Sequence, residues 1–191
     1  QLPIVDIVIK PLPIEFTAFL SVVILLILRS LSISDAYESI NWSVIFLLAA
    51  LMPIGIAMKK TGADIKIGSI VLHVSSFISN DNPVVILSVL YFCTFSLSSV
   101  LSNAAVAVIL TPIALSIPNQ VAFVSNPEPF LVAICFGASA SFITPIGYQT
   151  NLVVYGPGKY KFTDFVLMGI PLTIILWIIS IYLIPIYWPF N

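Results

Sequence analysis

The sequence predicts an all-α, polytopic membrane protein, and three observations lead to that fold class. The 191 residues have a mean hydropathy of +1.14, and 60% of them are hydrophobic while only 8% are charged. A soluble domain carries about a quarter charged residues, so this chain could not cover a water-facing surface. Long apolar runs recur with polar connections between them, as in membrane helices. The formal net charge of −1 offers no basic surface, which argues against a nucleic-acid partner.

The first two apolar runs are predicted to cross the membrane. They cover residues 14–29 and 42–58, each close to the roughly 20 residues that a membrane helix needs. The second run begins at Trp42 and is followed by two lysines, and aromatic and basic residues are typical of the two membrane interfaces. The polar residues 32–41 are predicted to form a connecting loop.

Residues 63–79 differ from these spans because charges interrupt the apolar positions. Asp64, Lys66 and His73 fall between isoleucines and valines that recur at helical spacing. We therefore predict an amphipathic helix that lies in the membrane interface. His73 is the single histidine. A lone interfacial histidine is more often solvated than a proton site, and the sequence leaves both open.

Residues 83–117 carry no charge and are too long for one ordinary span. A small, polar patch lies in the middle, around Ser102 and Asn103. Irregular backbone at membrane depth is tolerated only where protein or a cavity surrounds it. A re-entrant hairpin with its tip near Ser102 explains the length and the polarity together. The alternative is a pair of short spans joined by a polar surface turn.

Residues 129–155 are predicted to form a broken helix. The interruption runs from Thr144 to Asn151 and contains Pro145 and Gly147. Proline removes a backbone donor and glycine loosens a helix. The alternative is a plain loop between two short helices.

The final apolar run, residues 164–187, is predicted to cross the membrane. Tyr187 and Trp188 at its end are typical of an aromatic anchor at the interface. Pro171 lies near its start and is expected to bend it. Residues 156–161, rich in glycine and lysine, form a turn before it.

No catalytic set is visible, so the sequence predicts a protein that is not an enzyme. There is no paired nucleophile and base and no phosphate-binding glycine loop. Cys93 and Cys135 lie in separate apolar stretches without metal-ligand spacing. Instead, both interruptions carry uncharged hydrogen-bonding groups. Freed amides at helix N-termini attract anions, and freed carbonyl, hydroxyl or amide oxygens coordinate Na⁺. These features indicate a transporter or a channel.

Particular motifs resemble the divalent anion:sodium symporter family. Ser102–Ala105, with an apolar arm that ends at Leu110–Ile113, resembles the family's second Ser-Asn-Thr hairpin. Ala138–Asn151 is similar to the broken helix that follows it. Tyr155–Tyr160 and Asp164 are similar to the permease branch of sulfate and citrate-type transporters. The resemblance covers nearly the whole chain.

The resemblance implies a fold of two inverted repeats, of which this chain would be the second and the missing N-terminal repeat the first. It implies an integral, multi-pass protein in lipid, a homodimer, and Na⁺ as the coupling ion without a further cofactor. The substrate would be a small inorganic or carboxylate anion.

The resemblance also implies ligand-binding residues. The substrate-binding positions are Ser102, Asn103, Ala104, Thr144, Pro145, Tyr148, Gln149, Thr150 and Asn151. The sodium-binding positions are Ser98, the carbonyl of Leu101, Asn103 and Gly147. Ala104 stands where the family usually has threonine, and Tyr148-Gln149 stands where other members have Thr-Pro. These departures favour sulfate over succinate.

Two other functions stay open at this stage. An arsenite or sodium/proton antiporter of the same superfamily generally needs an ionisable residue inside the membrane, and residues 82–127 contain no charge. A non-transporting membrane scaffold subunit would line its helix interfaces with glycine and alanine and would lack a converging polar cavity.

Overall fold

The computed structural model describes residues 13–79 and 82–191, and all regular secondary structure in these ranges is helical. The all-α prediction is therefore confirmed for the described chain. The chain divides into two compact units, Gln1–Ile45 and Phe46–Asn191, and each is described by itself.

The first unit contains two helices and the start of a third. These are α1 (Ile14–Ile27), α2 (Ile33–Glu38) and α3 (Trp42–Thr61), which continues into the second unit. The predicted loop at residues 32–41 was wrong in part, because it contains α2. Ser32 Oγ accepts the Asp35 N–H at 3.1 Å and the Asp35 carboxylate accepts the Ser32 N–H at 3.4 Å. This reciprocal capping box nucleates the short helix.

The second unit contains the other helices. They are α4 (Ala63–Ser76), α5 (Pro83–Ser98), α6 (Asn103–Ser116), a 3₁₀ turn (Ile117–Asn119), α7 (Glu128–Ser139), α8 (Gln149–Tyr155) and α9 (Phe162–Tyr187). The core lies between α5, α6 and α7, where Leu87, Tyr91 and Phe130 are fully buried. A Cβ added at Gly137 of α7 would lie 2.9 Å from Thr94 Cβ of α5. The absence of that atom lets the two backbones approach closely.

Helices α3 and α4 meet at 78°. Gly62 turns the chain between them with φ at 68°, a left-handed conformation that favours glycine. The buried face of α4 carries Asp64, Gly68, Val71 and Ser75. Ile65 and Ile70 point outward, 55% and 61% exposed. Lys66 and His73 are exposed as well, and such a mixture of apolar and basic side chains suits a membrane interface. Helix α4 covers residues 63–76 of the segment 63–79 that the sequence predicts as a helix, and its place in the membrane interface stays a prediction.

Among the described helices, α9 is long and apolar enough to cross a membrane by itself. The bent pair of α3 and α4 would be a second span if the two helices together form a single span. The 26 residues of α9 extend about 39 Å. Its buried stripe includes Gly169 and Thr173. The crossing of the membrane by residues 14–29, 42–58 and 164–187 stays a prediction.

Candidate functional site

The turn between α5 and α6 forms the first part of the candidate site. Helix α5 ends at Ser98 and α6 begins at Asn103, and we call residues 99–102 the tip. Ser102 caps α6, because its Oγ accepts the Ala105 N–H at 3.3 Å. The N–H groups of Asn103 and Ala104 have no acceptor within the helix, as in any first turn. The tip thus presents backbone donors at the positive end of a 14-residue helix.

The second part is the gap between α7 and α8. Residues 140–148 are not helical, and we call them the break. The predicted interruption began at Thr144, so the helix ends about four residues earlier than the sequence indicated. Carbonyls around the end of α7 bond outside the helix. Ala138 O accepts from Ser98 Oγ at 2.5 Å, and Asn151 Nδ2 donates to Ser141 O at 3.2 Å. These bonds replace those of a continued helix.

The tip and the break are joined directly. The Thr144 hydroxyl donates to the carbonyl of Ser99 and accepts the Gly147 N–H at 3.1 Å. Gly147 is buried, and a Cβ there would lie 2.8 Å from Ser98 O. The two irregular segments therefore form one hydrogen-bonded unit, although about 45 residues of sequence separate Ser99 from Thr144.

The Ser98 hydroxyl lies between two oxygen acceptors. Ser98 Oγ is 2.9 Å from Asn103 Oδ1 and 2.5 Å from Ala138 O. A hydroxyl donates one proton, and the shorter contact with the buried carbonyl takes it. The Asn103 carbonyl oxygen is thereby left for another partner.

The proposed site residues fall into an inner and an outer set. Ser98, Pro145 and Gly147 are buried, and Asn103, Ala104, Thr144 and Asn151 are half-buried. Leu101, Ser102, Tyr148 and Thr150 are exposed. In the described chain, the outer set makes no hydrogen bond across the junction of tip and break. The side chain of Gln149 lies outside the described part.

Several groups in the junction were missed by the sequence prediction. The carbonyls of Ser99, Ala138 and Ser141 anchor it, and backbone groups leave no signal in a sequence. Gly169 of α9 packs against the backbone of Phe142 and Ile143 in the break. A glycine inside an apolar span was the one signal that could have indicated this close approach.

Two cavities in the second unit lie away from the tip. One of about 550 Å³ adjoins the break, where Phe142 and Asn151 contribute to its wall together with α9. Another of about 480 Å³ lies between α4 and the end of α6, with His73 and Gln120 in its wall. Asn103 is in the wall of neither cavity.

Comparison with known proteins decides the family. Residues 2–137 match the citrate transporter family model. The chain belongs to the citrate transporter family. It is therefore an integral membrane protein of a transporter family, as the hydropathy predicted.

Relatives within and near this family carry transporter names. The chain is 41% identical, over 86% of its length, to an uncharacterized transporter of Synechocystis sp.. It is 32% identical over 85% to sodium/sulfate cotransporter 2 of Chlamydomonas reinhardtii. It is 27% identical over 70% to a sodium-dependent low-affinity dicarboxylate transporter of Caenorhabditis elegans. The matched regions span 26%, 18% and 22% of those proteins, so the chain covers about a quarter or less of their length.

Proposed function

We propose that this chain supplies one side of the binding site in a sodium-coupled importer of a small divalent anion, with sulfate as the first candidate and a di- or tricarboxylate as the second. The observation that carries the proposal is the junction of tip and break. Two irregular backbone segments in an apolar chain meet through Ser98, Ser99, Thr144 and Gly147. Such segments are tolerated at membrane depth only where they line a cavity or are buried in protein.

The anion would bind at the start of α6. The N–H groups of Asn103 and Ala104 and the hydroxyl of the exposed Ser102 offer donors at the positive helix end. None of these groups carries a full charge, whose burial in lipid would be costly. Oxyanions such as sulfate and carboxylates suit such a site, because they accept several hydrogen bonds.

Na⁺ would bind beside the anion. The available ligands are oxygens: the carbonyls of Leu101 and Gly147, the Asn103 amide oxygen, and the backbone oxygen of Ser98 against which Gly147 packs. Carbonyl and amide oxygens are the groups that coordinate Na⁺ at broken helices. The Ser98 hydroxyl donates to Ala138 O, so Ser98 would contribute its backbone oxygen to the site.

The two ions would stabilise one another. A cation beside a divalent anion lowers the electrostatic free energy of both, more strongly where water is excluded. Asn103 would serve both ions, with its backbone N–H toward the anion and its amide oxygen toward Na⁺. Coupled transport would follow when the N-terminal repeat and the homodimer of the full-length transporter complete the site and move it across the membrane.

Sulfate is favoured over dicarboxylates by one residue and by the relatives. Ala104 lacks the hydroxyl of the threonine that the related hairpin usually has at this position. The three relatives named for sulfate are 31%, 32% and 29% identical, and the one named for dicarboxylate is 27% identical.

Uptake by the full-length transporter tests the proposal. We expect labelled sulfate to accumulate in cells or vesicles with an inward sodium gradient, and accumulation to fall to background when choline replaces sodium. Labelled citrate and succinate, measured in parallel, rank the substrates. Equal uptake in sodium and choline would contradict sodium coupling, and no uptake of any of the three anions would contradict the substrate class.

Replacement of Ala104 by threonine is expected to shift selectivity toward dicarboxylates. The new hydroxyl at the start of α6 would donate to a second carboxylate oxygen, and one hydrogen bond to a charged group contributes about 1.5–3 kcal/mol. We expect succinate uptake relative to sulfate to rise about 10-fold or more. The matched control is Ala107→Thr, one turn further along α6. A ratio that moves equally in both variants would contradict the role of position 104.

A further inference from the structure

The side chain of Asn151 has both of its amide protons bound within the chain. Asn151 is half-buried near the start of α8, and its Nδ2 atom donates to Ser141 O at 3.2 Å and to Thr144 O at 3.3 Å. An amide NH₂ group has two protons, so these two bonds use both. Because both partners are carbonyl acceptors, they also fix which end of the amide faces the break. The Asn151 side chain therefore has no donor left for an anion.

Both acceptors belong to the break, where the backbone is not helical. Ser141 is 2% exposed and Thr144 is half-buried, so water cannot readily replace a lost partner. A buried carbonyl without a hydrogen bond destabilises the fold. The Asn151 side chain thus ties the start of α8 to two points of the break that lie three residues apart.

Thr144 extends this connection to the tip. Its carbonyl accepts from Asn151, while its hydroxyl donates to Ser99 O and accepts the Gly147 N–H at 3.1 Å. One residue of the break thereby joins α8 on one side to the tip on the other. If Asn151 released the Thr144 carbonyl, the Thr144 backbone could rotate and carry its hydroxyl away from Ser99.

The cavity that Asn151 borders belongs to α9 rather than to the tip. Its volume is about 550 Å³, and its walls include Phe165 and Leu172 of α9, whereas Ser102 and Asn103 are not among them. An anion held by the start of α6 would therefore not share this cavity with Asn151. This placement, like the use of both amide protons, argues against a direct contact between Asn151 and the anion.

We propose that Asn151 is a positioning residue for the ion site, and not the substrate-binding residue that the resemblance implies. It acts through Thr144, because the Asn151 amide holds the Thr144 backbone and the Thr144 hydroxyl holds the break against the carbonyl of Ser99. The spacing of the Ser98 and Gly147 oxygens, which are among those proposed for Na⁺, depends on that contact. The inference rests on the proposed function, because the group that Asn151 positions is the proposed sodium site.

Asn151→Asp in the full-length transporter tests the inference, because it keeps the shape of the side chain and removes both amide protons. The carboxylate oxygens would face the two carbonyl oxygens, and the break would separate from α8. We expect the half-saturating sodium concentration of sulfate uptake to rise at least about 10-fold, while the sulfate KM at saturating sodium stays within about 2-fold. Asn151→Ala, which removes the donors without adding a charge, should shift the sodium dependence in the same direction. The matched control is Asn119→Asp, the same change at an exposed residue, which should keep wild-type kinetics.

A double-mutant cycle with Thr144→Val tests the route of the effect. Thr144→Val removes the hydroxyl that bonds Ser99 O and keeps the carbonyl that accepts from Asn151. If Asn151 acts through that hydroxyl, the two changes together should shift the half-saturating sodium concentration little more than the larger single change does. Independent shifts that multiply would overturn the route, and with it the proposal.

Two kinetic results would also overturn the proposal. A sulfate KM raised about 10-fold or more with wild-type sodium dependence would make Asn151 a ligand of the anion. A lower melting temperature with wild-type kinetics of the folded protein would make its role only structural.

Hydrogen exchange separates these results from a failure of the proposed transport function. The amides of residues 140–148 should exchange at least about 10-fold faster in the Asn151→Asp transporter than in the Asn119→Asp transporter, whether or not sodium drives uptake. Equal exchange in the two variants would show that Asn151 does not hold the break, and the inference would be wrong.

Discussion

Replacing Asn103 with alanine in the full-length transporter is expected to abolish sodium-dependent anion uptake without preventing membrane insertion. The Asn103 amide oxygen lies 2.9 Å from Ser98 Oγ, and Asn103 is the first residue of α6. Alanine keeps the backbone donor but loses the oxygen proposed for Na⁺. A hydrogen bond to a charged group contributes about 1.5–3 kcal/mol, and the coupled anion would lose affinity as well. We expect uptake to fall at least about 100-fold.

The measurement is the initial rate of labelled sulfate uptake in vesicles with a sodium gradient. The matched control is Asn119→Ala, the same chemical change at an exposed residue in the 3₁₀ turn after α6. Equal amounts of protein in the membrane and equal melting temperatures would show that insertion and folding are intact. If the Asn103 variant took up sulfate at the wild-type rate, the assignment of Asn103 and of the tip to the binding site would be wrong.

Much of the hairpin could be predicted from the sequence because local signals mark both ends of its helices. Pro83 follows Asn82, which caps α5 through a 3.0 Å bond to the Val84 N–H. Ser102 is a favourable N-cap at the start of α6. The absence of charge across the segment indicated its apolar surroundings. Whether the hairpin re-enters the membrane stays a prediction.

The early end of α7 could not be predicted because its cause is tertiary. Nothing in Ala140-Ser141-Phe142 disfavours a helix strongly. The bonds from Ser98 to Ala138 and from Asn151 to Ser141 cross between elements and outweigh this local preference. The opposite error occurred at α2. Ser32 and Asp35 have the spacing of a capping box, which is a local signal for a helix within a polar segment.

The candidate site was predicted residue by residue, but not its assembly. Resemblance pointed to Ser98, Asn103, Thr144 and Gly147, and the structure brings these together. Their meeting depends on the close approach of α5 and α7 at Gly137, which a sequence shows only as one more small residue. Their roles toward an anion or Na⁺ stay predictions, since geometry alone does not test ligand binding.

Gly147→Ala is expected to separate the tip from the break. The added Cβ would lie 2.8 Å from Ser98 O and 3.2 Å from Ser99 Cα. Both are backbone atoms of the turn that ends α5, so no side-chain rotation relieves the overlap. Overpacking of this kind lowers the free energy of unfolding by about 1–3 kcal/mol. The same displacement would strain the hydrogen bonds that Thr144 makes with Gly147 and Ser99. Because the proposed site spans both segments, we expect uptake to fall at least about 10-fold.

Gly156 provides the matched control for this change. It too is a glycine next to α8, at the helix's other end, and a Cβ there meets nothing within 4 Å. Gly156→Ala should therefore keep near-wild-type uptake and melting temperature. If Gly147→Ala lowers stability but the remaining folded protein transports at the wild-type rate, the contact is only structural. The sodium affinity of uptake is measured as the half-saturating sodium concentration. If Gly147→Ala lowers this affinity more than it lowers the overall stability, the spacing of tip and break sets the cation site. The reason is that the Ser98 and Gly147 oxygens come from opposite sides of that junction.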